Sequence, residues 1–197
     1  MDETRVIHAA QQGSVSAFNQ LVMAYQGTAY NVAYRVIGQP EAAADACQEA
    51  FIKAYQAIKQ YRGGSFKSWL LRIVTNACYD QLRYKGRRPA TSLDHIADNP
   101  DEHNSKLING AERPEEQVLR GELGDLLQTG ISHLPEDQRV VLVLSDVEGF
   151  SYQEIADVIG QPVGTVKSRL SRGRQRLRDF LLEQKELLPA QYRLMNK

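Results

Sequence analysis

Six side chains toward the C-terminal end carry the most pointed chemistry in this chain. Thr165, Lys167, Ser168, Arg169, Arg172 and Arg176 place two hydroxyls and four cations within one short stretch. A helix turns by about 100° per residue. Thr165, Arg169, Arg172 and Arg176 therefore share one side, while Val166, Leu170 and Leu177 share another. Lys167, Ser168, Arg174 and Arg178 flank the cationic side. Guanidiniums and hydroxyls anchor phosphates and also reach base edges. Such a stripe works only if a rigid element lays it in a groove. The preceding residues supply that element. Ser151 stands three residues before Glu154, a capping-box start. Ile155, Ala156 and Ile159 give one apolar face. Gly160-Gln161-Pro162 breaks the helix, and a second begins near Val163. Two helices joined by a tight turn, the second carrying the cations, form a helix-turn-helix. The plainer reading is the solvated face of an ordinary surface helix.

Two further stretches hold candidate contacts. Residues 41–59 have helical apolar spacing at Ala43, Cys47, Ala50, Phe51, Ala54 and Ile58. Asp45, Gln48, Glu49 and Ile52 project elsewhere. That is a wet face by composition, although Ile52 on it hints at a contact surface. Residues 66–84 predict another helix, with Phe66, Trp69, Leu70, Ile73, Val74, Ala77 and Leu82 as its core. Lys67, Arg72, Asn76, Arg83 and Lys85 are its polar and basic positions. The loop Tyr61-Arg62-Gly63-Gly64-Ser65 precedes it. Rings beside a basic stripe suit single-stranded nucleic acid, because bases stack while cations hold phosphates. At helical spacing Phe66 and Trp69 are more often core than stacking platform; Tyr61 and Phe66 are the ring candidates, and the spacing gives Trp69 to the core.

The elements that must position these groups are helical throughout. Residues 4–36 read as two helices around Gly13-Ser14, and Gly38-Gln39-Pro40 opens the third. Helical pattern resumes at Glu115, and Leu134-Pro135 starts another helix that ends at Gly149. Between Pro89 and Pro114 the periodicity disappears. That stretch predicts a flexible acidic linker and favours two domains over one. The formal net charge is zero, with 24 Lys/Arg against 24 Asp/Glu. The zero is a cancellation. Residues 1–90 carry net +5, 91–125 net −6, 126–160 net −5 and 161–197 net +6. Local fields steer a ligand, and a total does not. Cys47 and Cys78 read as buried free thiols, not as a metal site. No signal peptide and no apolar run of membrane-spanning length is present, so a cytoplasmic protein is expected. Phosphate-binding glycine loops, zinc-protease and nucleophile-elbow motifs are absent. Binding, not catalysis, is the expected function, with no cofactor and no metal.

The motifs together resemble bacterial sigma factors of the extracytoplasmic-function (ECF) class, over residues 5–180. Leu134-Pro135, Arg139, Gly149-Phe150-Ser151-Tyr152-Gln153-Glu154-Ile155-Ala156 and Gly164-Thr165-Val166-Lys167-Ser168-Arg169-Leu170 are similar to their second domain. The stretches from Asp45 to Tyr55 and from Phe66 to Ala77 are similar to the clamp-gripping helix and the −10 helix of the first domain. Arg87-Arg88-Pro89 matches the exit from that domain. A stand-alone regulator needs only the helix-turn-helix, and a helical adaptor needs none of the basic residues. The resemblance implies an all-α fold of two small helical domains joined by a flexible acidic linker. The N-terminal domain is 5–90, the linker 91–114 and the helix-turn-helix domain 115–182. It implies core RNA polymerase, promoter DNA and an anti-sigma factor as partners, with no membrane insertion. Asp45, Gln48, Glu49 and Ile52 become core-polymerase contacts. Tyr61, Arg62, Phe66, Arg72, Asn76, Arg83 and Lys85 become −10 contacts. Thr165, Lys167, Ser168, Arg169, Arg172 and Arg176 become −35 contacts. Gly63-Gly64 departs from the family, whose members often carry an acidic or small polar residue there.

Overall fold

The computed structural model describes the backbone of residues 2–87 and 114–184, and the side chains of 2–84 and 121–184. The sequence stretch expected to be a linker lies outside them. Eight α-helices make up the described residues: α1 (Glu3–Gln11), α2 (Val15–Ile37), α3 (Pro40–Ala57), α4 (Phe66–Arg87), α5 (Pro114–Ser132), α6 (Glu136–Leu142), α7 (Tyr152–Ile159) and α8 (Val163–Glu183). A 3₁₀ turn (Ile58–Gln60) follows α3, and a π-helical turn (Val143–Val147) extends α6.

Local chemistry sets the boundaries. The Asp2 carboxylate accepts from the Arg5 amide and the Ser14 hydroxyl from the Ala17 amide, capping α1 and α2. Gly38, at φ 79°, ends α2 in the left-handed conformation that a Cβ disfavours. Pro40 opens α3, where its missing N–H is not needed. Ser65 receives the Ser68 amide at the start of α4. The capping box at α7 forms as its sequence demands: Ser151 accepts from the Glu154 amide, and the Glu154 carboxylate accepts from the Ser151 amide at 2.9 Å.

Helices α1–α4 form an N-terminal unit and α5–α8 a C-terminal one. In the first, Ala43, Ala46, Ala50 and Ala54 are fully buried along α3. Their small side chains let α2 and α4 approach closely, and Leu21, Val32, Val36, Leu70 and Val74 fill the spaces between. Cys47 and Cys78 lie in this core as free thiols, and burial pushes each up to about 12. In the second unit Ile155, Val158, Val166 and Leu170 join α7 to α8. Gly173 lets α8 sit tightly on α6, since a Cβ there would lie 3.4 Å from the Gln138 carbonyl.

The two units pack against each other. The run Val140–Leu144 is buried on every side, because α8 covers one flank of α6 while α2 covers another. α4 is likewise buried on two sides. Phe66, Leu70, Val74 and Ala77 face the first core. Leu71 and Thr75 form a second buried side, on the flank that carries Lys67, where α7 packs. Arg139 donates to the Val36 carbonyl at 2.6 Å, and also to Ser132 and Leu134 of its own unit. The Gln128 amide reaches the Tyr34 and Arg35 carbonyls at 3.5 and 3.4 Å. Lys67 pairs with Glu148 at 3.3 Å and lies 4.7 Å from the centre of the Phe150 ring. The Glu148 side chain is only 10% exposed, so Lys67 is the cation that neutralises a nearly buried carboxylate.

Candidate nucleic-acid interface

The cation-bearing helix is α8, positioned by the α7 capping box, the left-handed Gly160 (φ 64°) and Pro162. Val166 and Leu170 are buried, and the opposite side is wet. Lys167, Ser168, Arg172 and Arg176 are exposed and Thr165 is half-buried. The Arg172 guanidinium folds back onto the Ser168 carbonyl at 3.1 Å, and the Ser168 hydroxyl donates to the Thr165 carbonyl at 2.9 Å. Arg169 differs from the others on its side. It pairs with Asp137 of α6 at 3.0 Å and is 23% exposed, so in this arrangement it braces α8 against α6. Sequence spacing gave its side of the helix but not this partner.

A second cationic flank runs along α8. Tyr152, Lys167, Leu170, Ser171, Arg174, Gln175 and Arg178 line an open groove of about 470 Å³. Arg174 grips Asp146 through two bonds, of 2.9 and 2.5 Å. Those bonds hold the Asp146 carboxyl below its ordinary value and raise the Arg174 guanidinium. Tyr152, Ser171 and Gln175 were not singled out from sequence. The i, i+4 spacing of Lys167 and Ser171 was the available signal for part of this flank.

The N-terminal unit has an open cleft of about 560 Å³ between α1, the 61–65 loop and the start of α4. The Tyr61 hydroxyl donates to the Gly64 carbonyl at 2.8 Å, which folds the loop onto itself. Gly63 and Gly64 take φ of 97° and 93°, a conformation that side-chain-bearing residues rarely adopt. Phe66, expected to offer its ring, is 3% exposed and packs between Tyr25, Tyr61 and Trp69. It floors the cleft and does not project into it. Trp69, expected in the core, is half-buried beside Tyr61, with ring centres 5.4 Å apart. Arg62, Arg72, Asn76 and Arg83 are exposed, and docking of the C-terminal unit leaves them so. Lys85 lies in α4, but its side chain falls outside the described ones. Glu3, His8 and Gln11 of α1 also line the cleft and were not anticipated.

On α3, Asp45 and Gln48 are exposed and Ile52 is 52% exposed. Glu49 is held by Lys53 at 2.6 Å, and Lys53 also reaches Asp80 at 3.7 Å. Tyr55 continues the apolar edge beyond Ile52 at 41% exposure, its ring packed edge-on to Phe18. Among the described residues, no group of His, Cys, Asp and Glu is placed to hold a metal.

An all-helical chain with a cleft-bearing first unit and a helix-turn-helix second unit defines a class, and the comparisons agree. Residues 21–88 match the Sigma-70 region 2 family and residues 124–177 the Sigma-70 region 4 family. The RNA polymerase sigma-H factor of Pseudomonas aeruginosa is 38% identical over 174 residues, 88% of this chain and 90% of that one. The ECF RNA polymerase sigma-E factor of Escherichia coli K12 is 36% identical over 171 residues, 86% and 89% of the two chains. The solved sigma factor RpoE of Bartonella quintana, in complex with the anti-sigma factor NepR, superposes with a TM-score of 0.65. Its identity is 26%, over 85% of this chain and 98% of that one. CnrH, solved with the cytosolic domain of CnrY, gives a TM-score of 0.64 at 25% identity, over 93% and 99%. This chain belongs to the ECF RNA polymerase sigma factors. As a sigma factor it binds core RNA polymerase and promoter DNA and directs transcription initiation. No described helix is long and apolar enough to cross a membrane.

Proposed function

We propose that the two units divide promoter recognition between them. Residues 5–90 act as the domain for core polymerase and the −10 element, residues 115–182 as the −35 domain, and residues 91–114 as the connection. α8 lies in the −35 major groove. Thr165, Lys167, Ser168, Arg172 and Arg176 meet backbone or base edges, and Arg169 joins them once it leaves Asp137. The 61–65 loop captures a flipped −10 base in the cleft it shares with α1. Tyr61 and the edge of Phe66 contact the ring, while Arg62, Arg72, Asn76, Arg83 and Lys85 hold the displaced strand. Asp45, Gln48 and Ile52 contact the polymerase clamp, with Glu49 fixed beside them by Lys53.

The observation that carries this reading is the exposure of both cationic surfaces. α8 presents its stripe on a capped helix-turn-helix, and the wet side of α4 stays open beside the cleft. The protein works in the cytoplasm, where the polymerase is, and catalyses no reaction of its own. A relative has been solved with an anti-sigma factor, and this chain is held inactive by a partner of the same kind. Run-off transcription with core polymerase, with and without the chain, tests the reading. Transcripts should start only when both are present. Loop variants at Gly63 and Gly64 should keep −35-dependent binding and lose permanganate reactivity in the −10 element. Equal loss of both would remove the opening role from the loop.

A further inference from the structure

α1 precedes the stretch matched as region 2, which begins at residue 21. It is nevertheless built into the cleft. The Gln11 side-chain amide donates to the Ile58 and Tyr61 carbonyls at 3.2 and 2.8 Å, fastening one end of α1 to the root of the loop. Glu3 stands near the other end of α1 and lines the same cleft. The Tyr25 hydroxyl neighbours the Glu3 carboxylate; burial first, and then that neighbour, push the Tyr25 phenol up to about 12. Tyr25 in turn packs on Phe66, with ring centres 5.5 Å apart. Glu3 is thus a half-buried carboxylate at the wall of a cleft floored by rings.

An ionised carboxylate only accepts hydrogen bonds. From the cleft wall Glu3 can accept one from an N–H donor on a base edge. Cytosine and adenine offer an exocyclic amino group on their Watson–Crick edge, and guanine offers an amino and a ring N–H together. Thymine places carbonyls on both sides of its single ring N–H, so its edge meets a carboxylate with repulsion. A flipped base presents this edge to its pocket. We infer that Glu3 is a specificity-determining residue of the −10 cleft, selecting a captured base that carries an exocyclic amino group and rejecting thymine. Gln11, which fastens α1 to the loop, is its positioning residue. The inference rests on the base-capture reading given above.

The test uses holoenzyme, made with the full chain, on fluorescent fork-junction promoters. Each position of the displaced −10 strand is replaced in turn by cytosine, thymine or an abasic nucleotide. Wild type should show one position where an abasic nucleotide weakens binding and where thymine binds about tenfold more weakly than cytosine, the size of one charge-assisted bond. Glu3→Gln keeps the shape but adds a donor that a thymine carbonyl accepts. It should reduce the thymine penalty at that position to about threefold or less, with −35 duplex binding unchanged. Gln11→Met keeps the stem and removes the amide that fastens α1 to the loop. It should give an intermediate penalty, so the question is answered even if the Glu3 variant folds poorly. An abasic penalty together with an undiminished thymine penalty in both variants would overturn the inference alone. If no position shows an abasic penalty in wild type, the base-capture reading falls and the inference falls with it.

Discussion

Arg139 should be among the costliest single side chains to remove from this protein, and the size of the effect follows from its three acceptors. Its guanidinium donates to Val36 across the two units, and to Ser132 and Leu134 at the α5–α6 turn. In Arg139→Met the chain packs a similar stem and loses all three donors. Ser132 is exposed, so water replaces its bond at little cost. The Val36 and Leu134 carbonyls lie in part-buried bonds. Each costs about 1–2 kcal/mol when left unpaired, giving roughly 2–4 kcal/mol together. One relief works the other way. Burial lowers the Arg139 pKa, the mark of a cation held partly out of water, and the Met variant no longer bears that desolvation cost. A net loss of about 2–3 kcal/mol remains. For a chain of this size that is a fall in Tm of roughly 5–10 °C. Arg139→Lys keeps the charge but not the planar fork, so it can serve one carbonyl well and should recover only about a third of the loss. Urea unfolding and thermal melting of the three proteins provide the measurement. A Met variant within about 0.5 kcal/mol of wild type would refute the reasoning, as would a Lys variant equal to Arg.

Three further outcomes are expected. Gly130 and Gly124 lie on the same helix but should respond oppositely to alanine. A Cβ at 130 would come within 2.7 Å of Leu177 and 2.8 Å of Phe180, whose ring is stacked on His133, whereas nothing lies within 4 Å at 124. By thermal melting, Gly130→Ala should lose about 1 kcal/mol net, overpacking exceeding the gain in helix propensity, and Gly124→Ala should gain about 0.5–1. The Asp146 carboxyl is depressed by Arg174, so its stabilisation is present above the ordinary carboxylate range and lost as pH falls through its folded value. The stability difference between wild type and Arg174→Ala, measured by urea unfolding, should therefore be full at pH 7 and shrink steadily below about pH 4. For promoter binding over a salt series, Arg172→Ala or Arg176→Ala at a base edge should cost about 1–3 kcal/mol and relax one −35 position. At a phosphate either should weaken all promoters alike and lower the salt slope by roughly 1, and unchanged binding for both would remove them from the interface.

Much of the architecture was written in local signals. The capping box at Ser151 and Glu154, the glycine stops at 38 and 160 and the apolar spacing of α3 and α8 are decided within a turn or two of helix. Those elements appear where the residues place them. What sequence could not give depends on surfaces far apart in the chain. Leu71 and Thr75 were not marked as core, because the element packed on that flank belongs to the other unit. The pairing of Lys67 with Glu148 spans 81 residues and that of Arg139 with Val36 spans 103, beyond any periodicity. Phe66 and Trp69, three residues apart in one helix, differ in burial because Tyr25 reaches the first from α2. For the same reason α1 gave no sign of belonging to the cleft. Its link to the loop joins Gln11 to residues 47 and 50 positions away.

The two cysteines turn this protein into its own reporter of opening. Both lie in the N-terminal unit, on α3 and α4, and the chain has no others. Alkylation needs the thiolate. With each thiol pushed up to about 12, the thiolate fraction in the folded state at pH 8 is on the order of 10⁻⁴. Burial blocks the reagent as well, so modification must pass through molecules in which that unit has opened. The alkylation rate, compared with that of an unfolded control, reads the free energy of opening for α1–α4 alone. Set against the global value from urea, it shows how much stability the C-terminal unit lends its neighbour. In the Arg139→Met variant, faster alkylation would measure the share of that loan carried by one guanidinium.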